Sequence, residues 1–544
     1  MRPLLLLCGV LWAGSGELRG VEPVLTHIHP AGVQQGTSAA VKLTGKFDPW
    51  PCKVWTDSPG IVFTPAGDAG KFTVTIAADA TPGPHLLRAF NDEGVSAPVS
   101  MIVAGVTQTL EAEPNDDFRS PQVLAASTAT CNGRLDKADD VDSFGVALKK
   151  GQVMVARVEA YVLAAGFDSM LRVLDASGVT LAFNHDHTTM DPLLAFEAPY
   201  DGNYIVQTMG HKYPASSDVK FAGGDDCTYR LHVSTEPFVR NTWPLAVQRG
   251  KKSQMALEGW NLSSTQLEID DAARPPFPVT FSDLPELTEA MEPQTLEIPS
   301  AVSGRIIAAS DEDRFAFAAA KDSVIELTVT GPRHGSAIDA WLKVLDKDGK
   351  ELASNDDDGG SSEPRIIWTP PADGTYTAVV GDLTQRGGNE FFYRLMITRP
   401  APVVSASIAN HAVKVEAGKS AELKVAVKLA NGFQPKLKLA AKNLPAGITA
   451  AEVDVSEKGG EVALTLTAEA TAPRASQPFQ LVLREVEGAK DYPVEFSMAS
   501  TGENNGAPQG YRQLLVNSTD QLWLTVTAPP PPPPAKPTET KAAP

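Results

Sequence analysis

The chain has 544 residues, of which 42% are hydrophobic, enough for several domains that each bury a core. Its formal net charge of −19 argues against a nucleic-acid binder, because phosphate recognition needs clustered Lys and Arg. An acidic surface instead suits solubility and cation binding.

Met1-Arg2-Pro3, the apolar run Leu4 to Ala13 and the small residues Gly14, Ser15 and Gly16 read as a signal peptide over residues 1–20. The run is shorter than the roughly 20 apolar residues that span a bilayer, and no later stretch approaches that length. Cys8 lacks the small residues that precede a lipoprotein cysteine, so export to periplasm, cell surface or medium is expected without a lipid anchor. Cys52, Cys131 and Cys227 lie beyond the leader. Cys131 and Cys227 share one segment and could pair in an oxidising compartment, leaving Cys52 odd.

Short alternating or β-branched runs follow, such as Lys71-Phe-Thr-Val-Thr-Ile76, Val153-Met-Val-Ala-Arg-Val158 and Val324-Ile-Glu-Leu-Thr-Val329. Gly, Pro, Asp and Asn bound them and no long helical period intervenes, so the expected class is all-β, a tandem of β-sandwiches. Two segments repeat at an offset of 171. Gly133-Arg134 matches Gly304-Arg305, Asp142-Ser-Phe144 matches Asp313-Arg-Phe315, and Leu171 to Asp175 matches Leu342 to Asp346. Asp168 and Asn184 fall on Asp339 and Asn355, and Asp201-Gly202-Asn-Tyr204 answers Asp373-Gly374-Thr-Tyr376. A repeat this long predicts two copies of one module, at 107–235 and 286–399.

A second repeat interleaves. Pro30 to Gly36 with Leu43-Thr-Gly45 is echoed by Pro244 to Gly250 with Leu257-Glu-Gly259. These resemble the opening strands of immunoglobulin-like IPT/TIG domains, which implies an Ig-like domain at 21–105 and a partial one at 236–285. Residues 401–528 read as a further Ig-like β-sandwich, with Asn504-Asn505-Gly506 as a polar loop. Residues 529–544, opening on six prolines, read as a disordered tail.

The acidic stretch that opens the first copy carries the strongest chemical signal. In extended chain Glu111, Glu113 and Asn115 share a face, Asp116 follows at the bend, and Asp139-Asp140-Val-Asp142 comes about 25 residues later. A hard cation such as Ca²⁺ takes six to eight oxygens, several of them carboxylate. Glu-Ala-Glu-Pro-Asn-Asp, then Gly-Arg-Leu, Asp-x-x-Asp-x-Phe, Phe-Asp168 and Asp-Gly-x-Tyr resembles the bacterial pre-peptidase C-terminal (PPC) domain. That resemblance implies a jelly-roll-like sandwich of the kind found behind secreted proteases. It carries a calcium shell onto Glu111, Glu113, Asn115, Asp116, Asp139 and Asp142, with Asp140 as a substitute for Asp139. The second copy departs: Ala290 is read opposite Glu111, Gln294 opposite Asn115, Thr295 opposite Asp116 and Ser310 opposite Asp139, while Glu292-Pro293 survives. No calcium is expected there.

Other constellations are weaker. The alternate histidines of Asn184-His185-Asp186-His187 could share a metal, but the second copy has Asn355-Asp356-Asp357-Asp358, and a polar hairpin loop is the plainer reading. Gly36-Thr37-Ser38-Ala39-Ala40 resembles a subtilisin nucleophile motif, yet a strand follows it and too little chain precedes it to hold a base. No His-Glu-x-x-His helix or phosphate loop occurs. Trp50, Trp55, Trp260 and Trp341 could stack on sugars, although core filling suits each. The expectation is an exported, non-catalytic binding protein for extracellular polysaccharide or protein, with Ca²⁺ stiffening the first module. The alternative is an accessory of secreted proteolysis whose partner is a protease.

Overall fold

The computed structural model describes residues 20–125, 128–187, 190–213, 217, 219–270, 277, 279–290, 294–358, 362–499 and 515–529. The leader, the Asn504-Asn505-Gly506 loop and the Pro-rich stretch from 530 onward fall outside them. Among the described residues the regular structure is strand, with two short 3-10 turns and no α-helix. The cause is visible in single strands. Lys71–Ile76 alternates exposed and buried side chains, as does most of Ser420–Ala430 and Gly460–Ala468. Each therefore turns one face to a core and the other to water.

Within 107–235 two five-stranded sheets enclose one core. The first runs, in spatial order, Gln108–Leu110, Thr128–Arg134, Thr228–Ser234, Val153–Glu159, Leu193–Glu197. The second runs Gln122–Val123, Asp142–Leu148, Gly202–Lys212, Phe167–Leu174, Thr180–Asn184. Within 286–399 the same order recurs strand for strand. One sheet is Glu286–Thr288, Ser300–Arg305, Phe392–Thr398, Ile325–Thr330, Arg365–Trp368. The other is Gln294–Leu296, Glu312–Ala319, Gly374–Asp382, Ala340–Leu345, Glu351–Asn355.

The repeated sequence landmarks are the residues that shape this sandwich. Asp175 Oδ1 accepts from the Ser177 and Val179 amides, and Asp346 Oδ1 from those of Asp348 and Lys350, closing equivalent hairpin turns. The Tyr204 hydroxyl donates to the Tyr200 carbonyl at 2.7 Å, as Tyr376 does to Ala372 at 2.7 Å, so the Asp-Gly-x-Tyr motif fastens its own turn.

Residues 24–104 form two facing sheets around a further core. Residues 238–282 form only a three-stranded and a two-stranded sheet, whose core cluster of buried residues is Val247, Met255 and Ile269. So small a core leans on its neighbour: Leu245 N donates to Ser303 Oγ, and Arg305 pairs with Glu258. The strands from Val403 to Thr527 form one continuous eleven-stranded sheet that shares a single core, a sheet folded over on itself.

The modules meet at defined joints. Gly32 N donates to Asn132 Oδ1 at 2.7 Å, and Asn261 Nδ2 to the Val153 carbonyl at 2.9 Å. The chain also doubles back. Arg88, wholly buried, donates to the Gln521 carbonyl at 2.9 Å, and Trp523 packs against Trp55 and Phe90.

Several weaker sequence features find their places here. The Ser38 hydroxyl pairs with Thr75 Oγ1 across two strands. Cys52, Cys131 and Cys227 are buried free thiols, and burial raises each above its ordinary pKa. Of the four tryptophans, Trp50 packs on its module's core and Trp55 lies at the joint with Trp523, whereas Trp260 and Trp341 stay partly exposed beside Arg240 and Lys343.

Candidate metal centre

The linker strand Gln108–Leu110 pairs in parallel with Thr128–Arg134, which delivers Glu111 to the mouth of the first repeated sandwich. Glu111 N donates to the Asn132 carbonyl, and Glu111 Oε2 accepts from Arg134 N at 2.8 Å. Its Oε1 accepts from Asn115 Nδ2 at 3.0 Å and lies 3.0 Å from Tyr229 Oη. The Asn115 amide reaches Glu113 Oε2, and the Asn115 carbonyl accepts from Ser143 N, docking the acidic loop onto the strand Asp142–Leu148. That strand points Phe144, Val146 and Leu148 into the core, so the same parity drives the Asp142 carboxylate inward.

One carboxylate oxygen each from Glu113, Asp116, Asp140 and Asp142 lies within 4.8 Å of the others. Asp140 Oδ2 accepts from the amides of Asp136 and Lys137, and Lys137 Nζ donates to Asp116 Oδ2 at 2.8 Å. One exposed lysine faces four carboxylates. Burial, followed by the neighbouring Glu111, pushes Asp142 up to about 10. Burial also raises Asp140 and Glu113, while the hydrogen bond from Lys137 lowers Asp116.

Three buried oxygens, Asn115 Oδ1, Asp140 Oδ1 and Asp142 Oδ1, have no hydrogen-bond partner. A buried acceptor left unpaired costs stability, and three in one cluster fit a ligand that needs oxygens alone. The donor set, carboxylates plus an amide oxygen, fits a hard divalent cation.

The sequence-predicted residues separate into three groups. Glu113, Asp116 and Asp142 converge, with Asn115 tied beside them to Glu113 and Glu111. Glu111 stands behind them, its oxygens engaged by Arg134, Asn115 and Tyr229. Asp139 is not in the cluster. Its backbone is left-handed, with φ of 65°, and its Oδ1 accepts from Phe221 N while Oδ2 lies 3.9 Å from Lys220 Nζ. Asp140 occupies the place assigned to it.

The second copy corrects the alignment of its opening. Glu289 N donates to the Ser303 carbonyl and Glu289 Oε2 accepts from Arg305 N, so Glu289, not Ala290, faces Glu111. Gln294 Oε1 accepts from Ala290 N and its Nε2 donates to the Thr288 carbonyl, as Gln122 does with Ala112 and Leu110. Gln294 therefore stands for Gln122, not Asn115, and Thr295 for Val123, not Asp116. Ten residues separate Glu111 from Gln122 and four separate Glu289 from Gln294, so the loop that carries Asn115 and Asp116 is cut away. Glu292-Pro293 lies outside the described residues. Ser310 does match Asp139, with φ of 64°, and Asp311 and Asp313 keep the roles of Asp140 and Asp142. Half the shell survives there, and no oxygen of Glu289, Asp311 or Asp313 is among the unpartnered buried atoms.

Residues 311–382 match the family model of the bacterial pre-peptidase C-terminal domain. Over 230 residues the chain is 28% identical to a probable subtilase-type serine protease of Deinococcus radiodurans, a match that covers 38% of this chain and 31% of the protease. The chain thus spans less than a third of that relative's length. Among solved structures, the pre-peptidase C-terminal domain of a Bacillus anthracis collagenase aligns at 16% identity over 21% of this chain and 99% of that domain, with a TM-score of 0.16. The eight N-terminal Ig domains of the Down syndrome cell adhesion molecule align at 10% identity over 88% of this chain and 57% of theirs, with a TM-score of 0.19. The match to that family model lies within the second repeated sandwich, and the first sandwich has the same strand order together with the acidic loop the second lacks.

Proposed function

We propose that this chain is an exported, non-catalytic binding protein that presents β-sandwich surfaces to an extracellular polymer or protein, with Ca²⁺ stiffening its first PPC-like module. The observation that carries the calcium reading is the four-carboxylate cluster in which Asp140 Oδ1 and Asp142 Oδ1, like Oδ1 of the neighbouring Asn115, are buried without a hydrogen-bond partner. Glu113, Asn115 and Asp116 belong to the linker, whereas Asp140 and Asp142 belong to the body of the sandwich. A cation held by both sets ties the linker to the body and so fixes how the preceding Ig-like domain is carried. No helix among the described residues is long and apolar enough to cross a membrane.

A second reading, an accessory of secreted proteolysis, draws support from the similarity to a probable subtilase-type protease. In that case the ligand is a protease or its substrate.

The deciding experiment is a pull-down of the chain without its leader on collagen and insoluble polysaccharides, in calcium and again in EGTA. Calcium-dependent retention supports the adhesive reading. Absence of retention on every polymer, with capture of a co-secreted protease, supports the accessory reading. Hydrolysis of casein or gelatin by the purified chain overturns both.

A further inference from the structure

A second constellation lies on the other face of the same sheet. In Phe167–Leu174 the residues Phe167, Leu171 and Val173 enter the core, so Asp168 faces outward, directly across from His211 of Gly202–Lys212. The loop after Thr180–Asn184 brings His185 over it, with Nε2 3.1 Å from Asp168 Oδ2 and Nδ1 3.8 Å from Asp186 Oδ2. One ligand atom from each of Asp168, His185 and Asp186 lies within 4.8 Å of the other two. The other oxygen of Asp168, Oδ1, is buried and has no hydrogen-bond partner. His211 Nδ1 lies 3.4 Å from the Lys220 carbonyl, leaving Nε2 as its nitrogen free for a ligand. A histidine whose second nitrogen is held by a carbonyl is the usual state of a metal-bound imidazole.

The second module solves the same place differently. Asp356 and Asp357 stand for His185 and Asp186, and Leu383 for His211, its amide bonded to the Asp339 carbonyl. There the nearby carboxylate, Asp382, is held bidentately by Nε and Nη2 of Arg386. Among the described residues Asp168 has no such arginine; the side chain that reaches it is the imidazole of His185.

We propose that Asp168, His185 and Asp186, with His211 beside them, form a site for a divalent transition ion of the zinc class. Mixed imidazole and carboxylate donors suit zinc and its neighbours, while the all-oxygen cluster on the inner face suits calcium, so one sandwich would hold two sites of different preference. The two sites use no residue in common.

The test is isothermal titration of Zn²⁺ into the untagged full chain saturated with Ca²⁺, beside the variants His185→Gln, Asp168→Asn and His211→Leu. The expected result is one equivalent of zinc, weakened by at least about tenfold in His185→Gln and Asp168→Asn and less in His211→Leu. An unchanged Ca²⁺-dependent melting shift in each variant shows that it still folds. Absence of a stoichiometric zinc site in the parent chain overturns the proposal. Equal zinc affinity in His185→Gln and Asp168→Asn also overturns it, by placing the ion on other histidines.

Discussion

Tyr229 donates its hydroxyl hydrogen to Asp142 Oδ2 at 2.6 Å, and in the second copy Tyr393 donates to Asp313 at 2.7 Å. Both tyrosine rings lie against a glycine: a Cβ on Gly133 would sit 2.2 Å from the Tyr229 ring, and one on Gly304 2.3 Å from the Tyr393 hydroxyl. The Gly-Arg landmark, the buried tyrosine (Tyr229 or Tyr393) and the buried Asp are therefore one device in three pieces.

Gly133→Ala should displace the Tyr229 ring and loosen its bond to Asp142. Overpacking of this kind costs about 1–3 kcal/mol, read as a lower denaturation midpoint for the first module. Gly304→Ala should do the same to the second. An unchanged midpoint in both would show that the tyrosines are free to move.

Calcium should raise the melting temperature, with a stabilisation of about 2.7 kcal/mol at a hundredfold excess over Kd. Asp116→Ala combined with Asp140→Asn should abolish that rise, because both carboxylates belong to the cluster. Asp139→Ala and Asp357→Ala should leave it intact. Calorimetry with and without EGTA distinguishes these outcomes, and loss of the response in Asp139→Ala would move the site.

Asp313 gives the second module a pH dependence of defined sign. Burial raises its pKa from the ordinary 3.8 to about 8. A carboxyl whose folded-state pKa lies above its unfolded value contributes stability that is complete below about pH 4 and lost as pH rises through about 8. Urea midpoints should therefore fall between pH 5 and pH 9, and Asp313→Asn, which keeps an acceptor for Tyr393, should flatten that fall. A steeper dependence in the variant would reverse the assignment.

Arg88 secures the contact between the first and last sandwiches. Burial lowers its pKa to about 10, and its partners are the carbonyls of Gln521 and His411 and the His411 ring. Arg88→Ala should weaken the contact by about 1–3 kcal/mol while each sandwich stays folded. The expected readings are an unchanged far-ultraviolet dichroism spectrum and a larger radius of gyration by small-angle scattering.

The repeat was legible because its landmarks are the residues that shape turns and seat the buried tyrosine, and these keep their spacing. The opening of the second copy is not legible from spacing because the shortening falls between Glu289 and Gln294, where few residues remain to fix the register. Side-chain bonds from Gln294 and Glu289 to backbone amides settle it, and sequence spacing does not display such bonds. The resemblance names Asp139 ahead of Asp140, yet the repeat holds the clue to the reverse: Asp140 recurs as Asp311, whereas Asp139 becomes Ser310. What alternation cannot supply is the left-handed backbone at Asp139, which turns that side chain toward Phe221. The sequence reads the His185 cluster as a polar hairpin because the second copy has Asn355-Asp356-Asp357-Asp358 in its place, and spacing alone does not show that strand pairing sets His211 across from Asp168.

Because the first Ig-like sandwich is seated against the last one, the row of modules closes instead of trailing as beads on a string. Surfaces on different sandwiches then hold a set spacing, and under the binding function proposed above a fibrous ligand that reaches one would meet the next at high effective concentration. Weak contacts distributed over such a frame add as avidity, since little orientational freedom remains to be lost at the second contact.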